Sequence, residues 1–405
     1  MILKKRSFII ILLLSGAVMF LAKCVNQVVG KDPRGKMYAG AVTCRQCHQA
    51  IYDSFLNTAH FKATAVAIEE NIKGNFLNGK NAFNYDSVTK VMMQKRDSGF
   101  FQVLYSNGKE QHAYRYDILF GSRHAQTSLY WQNNLLYELP LSHYNSVNAW
   151  GTSPGFPADH PKFDRPIDID CFDCHSSNLS ISSDRSLNSQ PFLDKQSLIY
   201  GIDCERCHGP ALNHVNYQLA NPELKTAKYM VSYKQLSGQQ KLDACAVCHS
   251  GNDKMKIQSR FEFKMGDTLG YFVMPFGNSN GKADVHGKQY NLLVQSKCFN
   301  VRTMTCSTCH DPHKNADQSL ATYSQKCMSC HQPEKNNFCP QYASLGEPIK
   351  NNCIDCHMPN KNSTAISFQL QQSDSPSAYL LRTHRIAVYA DSLLSQHKKI
   401  SSAKH

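Results

Sequence analysis

In 405 residues this chain carries 17 cysteines and 18 histidines, at a formal net charge of +13. Composition alone leaves disulfides, zinc or haem open for so many cysteines. Beyond residue 24 no segment is apolar enough to span a membrane as a helix.

The first residues act as an address. Lys4, Lys5 and Arg6 form a basic n-region, followed by 16 apolar residues over 7–22. That is short for a membrane helix and fits a secretory h-region. Cys24 stands where a bacterial lipoprotein cysteine is lipidated after cleavage, although Lys23 is a poor match to the small residue usual before it. A lipoprotein signal is the first reading; a plain cleaved signal peptide and an uncleaved anchor are the alternatives. Residues 1–23 are read as signal peptide or anchor and 24–40 as a linker, with the rest exported, periplasmic or membrane-anchored and facing outward.

Spacing resolves the cysteines. Motif 1 is Cys44-Arg45-Gln46-Cys47-His48, motif 2 Cys171-Phe172-Asp173-Cys174-His175, motif 3 Cys204-Glu205-Arg206-Cys207-His208 and motif 4 Cys245-Ala246-Val247-Cys248-His249. Motif 5 is Cys306-Ser307-Thr308-Cys309-His310, motif 6 Cys327-Met328-Ser329-Cys330-His331 and motif 7 Cys353-Ile354-Asp355-Cys356-His357. Chance would supply roughly 0.03 copies of this haem-attachment pattern. Each predicts two thioethers to one haem, with the adjacent histidine as an iron ligand, hence seven covalently bound c-type haems. Zinc is the competing reading for any single Cys-x-x-Cys pair, but a histidine follows in all seven. Attachment of this kind takes place outside the cytoplasm, in keeping with the leader.

Charge then reads differently. The four basic residues of the leader have no acids beside them and leave +9 for the remainder. Each oxidised haem adds about −1 through its propionates. The basic polypeptide compensates for its cofactors, and nucleic acid is not expected as a partner.

Along the chain, a helix is expected over about residues 50–70, with Ile51, Phe55 and Ala59 on one face. Strand-like runs follow at 88–93, 100–105 and 111–120, with a hairpin signal at Asn107-Gly108. This gives a small antiparallel β element at about 80–140 within a one-haem region, 41–170. Residues 171–368 form a six-haem region, too sparse in residues per cofactor for an ordinary side-chain core. Gly209-Pro210, Asp311-Pro312 and Met358-Pro359 turn the chain away after three motifs. A polar stretch at 369–377 and a helix over about 378–396 close the 369–405 segment. The expected fold is mainly α with extensive loops, built around packed haems.

Histidines outside the motifs are candidates for the second axial position: first His60, His214 and His313, then His286 and His384, and after them His124 and His160. One so close to a motif histidine cannot reach round its own haem, so it is expected to serve a neighbour. Closed six-coordinate iron suits electron transfer, whereas an open iron binds small molecules. Cys298 and Cys339 bracket two motifs and are candidates for a disulfide in an oxidising compartment.

The chain resembles the cytochrome c-552/c-554-type multihaem family. The likeness lies in Tyr52-Asp53-Ser54-Phe55 through Thr58-Ala59-His60, Cys204 to Pro210 with His214, Cys306 to His313, and Cys353 to Pro359. It implies an exported bacterial electron carrier or redox-complex subunit, with His60 and His214 as distal haem ligands. The leading expectation is therefore a carrier of single electrons through mostly bis-histidine haems between respiratory redox partners, such as a membrane quinol-linked donor. No residue is singled out as catalytic. The alternative is a multihaem oxidoreductase acting on a small nitrogen or sulfur compound at one five-coordinate haem, with His112, His143, Asp159-His160 and Arg165 available for acid–base work.

Overall fold

The computed structural model describes residues 32–182, 191–275, 283–300, 304–335, 337–371 and 373–392. The leader, Cys24, His397 and His405 lie outside these residues. Among those described, no helix is long and apolar enough to cross a membrane.

The chain is not mainly α. Helix and strand occupy near-equal shares, with the strands in five sheets. The expected β element at 80–140 is part of two larger sheets that begin at residue 64 and run to residue 152. One has four strands in sequence order: β2 (Ala82–Asn84), β3 (Thr89–Arg96), β4 (Gly99–Ser106) and β5 (Lys109–Arg115). The other has five: β1 (Thr64–Val66), β6 (Ile118–Phe120), β7 (Ala125–Gln132), β8 (Leu135–Tyr144) and β9 (Ala149–Thr152). Asn107 and Gly108 both take positive φ, 50° and 74°, the geometry of a tight hairpin turn whose twist matches its strands.

Alternation builds the core. On β3, Val91 and Met93 point the same way and are fully buried. They meet Phe83, Phe100, Leu119, Tyr130, Leu139, Leu141 and Trp150 from both sheets, with Tyr116 and Phe163 from the connecting chain. Gln102 bridges the two sheets: its amide donates to the Leu141 carbonyl and its oxygen accepts from the Leu141 N–H. The five-stranded sheet uses its other face as well. There Ile118, Leu129 and Leu136 pack on Phe172, inside motif 2, and on Leu179 and Leu193.

The first helix, α1 (Ala41–Phe55), carries motif 1 and bends at His48. The helix expected over 50–70 stops at Phe55, and β1 takes residues 64–66. Thr58 accounts for the stop. Its hydroxyl donates to the Phe55 carbonyl and accepts from the Phe61 N–H, offering the backbone a turn in place of another helical repeat.

Motifs 2, 3 and 7 are short helices in their own right: α2 (Phe172–His175), α3 (Cys204–His208) and, later, α7 (Ile354–His357). Between them lie α4 (Leu212–Ala220), α5 (Gly238–His249), which ends in motif 4, and α6 (Leu320–Met328), which leads into motif 6. Hairpins fill much of the remaining chain: β10 (Ser176–Ile181) with β11 (Leu193–Tyr200), β12 (Lys254–Lys256) with β13 (Val273–Pro275), and β14 (Asn360–Phe368) with β15 (Ser377–Arg382). An attachment motif needs only one helical turn, so the intervening chain is free to pair as strands. This is why a scarcity of residues per haem did not mean a helical fold. The helix expected from residue 378 is likewise a strand as far as Arg382, where Tyr379 and Phe368 pack on Tyr144 of β8. Residues 393–396 of that expectation lie outside the described chain.

Candidate metal centres

In every motif the thiols and the histidine emerge from about one turn of chain. Motif 3 shows how the surroundings set that turn. Asp203 caps α3 by accepting from the Arg206 N–H. Glu205, between the two cysteines and almost fully buried, accepts from the N–H groups of Ala39, Gly40 and Ala211. The segment entering α1 is thereby tied to motif 3. Arg34 reinforces the tie, with Nη2 2.7 Å from Asp203 and 2.8 Å from Asp32. The three carboxylates Asp32, Asp203 and Glu205 converge, but the Arg34 guanidinium is their counter-charge. Burial pushes the Glu205 carboxyl up, against the pull of its N–H donors and Arg34.

Thiols of different motifs lie near one another in the fold. Cys44 meets Cys204, Cys174 meets Cys248, Cys245 meets Cys306, and Cys327 meets Cys353. These contacts join motif 1 to 3, motif 2 to 4, motif 4 to 5, and motif 6 to 7.

Histidines far apart in sequence face each other. His48 and His214 lie 6.5 Å apart between ring centroids, 18° from parallel. For His208 and His313 the values are 6.0 Å and 14°, for His60 and His249 6.1 Å and 81°, and for His310 and His384 6.2 Å and 37°. Direct ring stacking is tighter than this. Two imidazoles binding one metal from opposite sides, each through a nitrogen at about 2.0–2.1 Å, place their centroids about 6 Å apart. In each pair one member follows Cys-x-x-Cys and the other does not, and the two belong to different stretches of chain.

Tautomers agree with this arrangement. The Nδ1 atoms of His214, His331 and His357 lie 3.0, 2.7 and 3.0 Å from the carbonyls of Lys228, Asn337 and Ala387. A carbonyl can only accept, so Nδ1 carries the proton and Nε2 presents its lone pair. His249 uses Gln289 and His313 uses Asp311 in the same way. Burial lowers His60, His175 and His384 to about 4, so they are neutral at pH 7, as a ligand must be.

The backbone around His60 is closely held. Gly201 has φ +62°, and a Cβ there would lie 1.8 Å from the Phe61 carbonyl oxygen. Glycine permits the approach that lets the Ile202 N–H bond the His60 carbonyl at 2.9 Å. Asn315 accepts from the Ala59 N–H and donates to the Asn57 carbonyl, joining the segments of His60 and His313.

His286 forms no ring pair of this kind among the described residues. It is held by Asp284, which accepts from the His286 N–H and from Ser363 and Thr364 on β14. His286 lies near enough to His175 to add to the effect of burial there, and His124 feels it too. His175 itself is stacked on Phe120, at 4.9 Å and 30°. Cys298 and Cys339 are both free thiols, so the disulfide expected between them is not formed. Cys298 lies near Cys309 and Cys327, whereas Cys339 lies near Cys356.

Groups considered for acid–base work do not assemble. His112 lies on the exposed edge strand β5, His143 is buried beside Trp150 and Asn145, His160 pairs with its neighbour Asp159, and Arg165 pairs with Glu138. Among the described residues no hydrogen bond, ion pair or ring contact joins any two of these four. Asp284, Glu205 and Arg34 were not anticipated, and their partners lie too far along the chain to leave a local signal.

The family Cytochrome c554 and c-prime matches residues 43–91 and 143–209, which hold the first three motifs and His60. Motifs, facing imidazoles and this match together support a multihaem c-type cytochrome, a class of electron-transfer proteins with covalently bound haem. Among solved structures it is similar to the outer cell wall cytochrome OcwA, with a TM-score of 0.50 and 15% identity. That likeness of fold covers 90% of this chain and 82% of the other. No curated protein matches the chain.

Proposed function

We propose that this chain is an exported heptahaem cytochrome that passes single electrons along an array of mostly bis-histidine haems between respiratory redox partners. The observation that carries the proposal is the set of four facing imidazole pairs, each at the spacing of two axial ligands.

In this reading the fourteen motif cysteines attach the cofactors. His48, His175, His208, His249, His310, His331 and His357 would ligate the iron of the haem attached at their own motifs. His214, His313, His60 and His384 would supply the second ligand at motifs 1, 3, 4 and 5, and His286, which lies near His175, is the candidate for motif 2. Bound haem iron supplies one-electron chemistry between its ferric and ferrous states. The protein holds neighbouring sites together, as the thiol contacts between motifs indicate, and keeps both imidazoles of a pair fixed so that little rearranges when the charge changes. The five-stranded sheet walls off motif 2 and anchors the hairpin before His384.

Export is supported by the leader and by the chemistry of attachment, and the named partner class is a membrane quinol-linked donor or respiratory complex. Lipidation at Cys24 would hold the chain at that membrane. Rapid mixing of the reduced protein with oxidised redox partners tests the reading. Fast reoxidation of all the haems is expected, with no turnover of nitrite, hydroxylamine or sulfite. Sustained turnover of one of those compounds would favour the oxidoreductase instead.

A further inference from the structure

The four facing pairs differ in the angle between their rings. His48 and His214 lie 18° from parallel and His208 and His313 14°, but His60 and His249 cross at 81°. Each of the crossed rings has its own anchor. His249, the last residue of α5, donates from Nδ1 to Oε1 of Gln289 at 3.2 Å. Gln289 opens the short helix Gln289–Leu293, and its Nε2 donates to the Val285 carbonyl at 3.4 Å. That second bond fixes which end of the amide meets the imidazole. His60 is held through its backbone by the Ile202 N–H at 2.9 Å, and its ring lies beside the Pro312 carbonyl. The two anchors come from separate stretches of chain.

Ring angle matters to an iron held between two imidazoles. Low-spin ferric iron lacks one electron in a pair of d orbitals of π symmetry. Parallel imidazole planes act on the same orbital and split the pair, whereas crossed planes act on one orbital each and leave the pair nearly level. The magnetic anisotropy of the ferric state reads this difference directly. A hydrogen-bonded partner that turns and polarises a ligand is therefore a means of tuning the metal. Motif 4 also adjoins two others, with Cys248 near Cys174 of motif 2 and Cys245 near Cys306 of motif 5.

We infer that Gln289 is a positioning residue that holds His249 crosswise to His60, so that motif 4, between motifs 2 and 5, carries a site electronically distinct from the parallel sites at motifs 1 and 3. The inference rests on the electron-transfer reading above and adds to it a residue that tunes one site of the array.

Low-temperature EPR and redox titration of the full, haem-loaded chain test it. The oxidised protein should show one low-spin signal whose largest g value exceeds those of the rhombic signals from motifs 1 and 3. In Q289A, with haem content unchanged, that signal should be lost and a rhombic low-spin signal gained. Q289E keeps an acceptor oxygen for Nδ1, so the crossed signal should remain. Its stronger acceptor makes His249 more basic and should shift one haem to lower potential. Q289E decides the matter if Q289A loads fewer haems. A crossed signal that persists in fully loaded Q289A would overturn the assignment. So would an unsubstituted spectrum with rhombic low-spin signals only, or an unshifted potential in Q289E where that variant decides. Failure of the electron-transfer reading would look different, appearing in the unsubstituted protein as sustained turnover of a small substrate.

Discussion

His384 faces His310 at 6.2 Å between ring centroids, although 74 residues separate them. The contact depends on β structure. The β14–β15 hairpin stacks Phe368 on Tyr144 at 3.7 Å, and Thr152 of β9 exchanges hydrogen bonds with Gln369. The two-sheet layer thus sets the position from which His384 reaches motif 5. Replacing Phe368 with alanine should cost about 3–5 kcal/mol in thermal unfolding. It should also weaken the low-spin signal of one haem; an unchanged spectrum would separate the hairpin from ligation.

His214→Ala removes the partner of His48. One haem should convert from low-spin to high-spin in the EPR spectrum while haem content is retained. Exogenous imidazole should restore it. A spectrum identical to that of the unsubstituted protein would remove His214 from the ligand set.

Gly201→Ala forces a Cβ against the Phe61 carbonyl at a backbone angle that disfavours side chains. Strain of about 1–3 kcal/mol is expected from the conformation alone, before the steric clash is added. The visible consequence is a disturbed His60 and a changed low-spin signal at motif 4. A variant as stable as the parent would show that the Phe61 segment can shift freely.

Phe172→Ala opens a cavity between motif 2 and the five-stranded sheet. Unfolding free energy should fall by about 3–5 kcal/mol. Because Phe172 lies between the two attachment cysteines, the loss of one haem by mass is expected in a fraction of the purified protein. Full loading with unchanged stability would mean that the sheet does not support motif 2.

How much of this was legible in the sequence follows from the range of each signal. Cys-x-x-Cys-His is local, and so are the Asn107-Gly108 turn and the alternation of Val91 and Met93. These were readable. The pairing of His60 with His249 or His310 with His384 is a matter of tertiary approach, and no spacing encodes it. The likeness at Thr58-Ala59-His60 pointed to the right region, yet the hydroxyl of Thr58 ends the helix that periodicity carried on to residue 70. Residues 377–382 misled for another reason: Ser-Ala-Tyr-Leu-Leu-Arg suits a helix or a strand, and β14 decides between them.

Haem quantification together with low-temperature EPR of the oxidised protein tests the central claim most directly. Seven haems per chain are expected, with low-spin ferric signals from at least the four irons at motifs 1, 3, 4 and 5. Fewer than four low-spin irons would contradict the account, and so would a dominant high-spin signal altered by nitrite, hydroxylamine or sulfite.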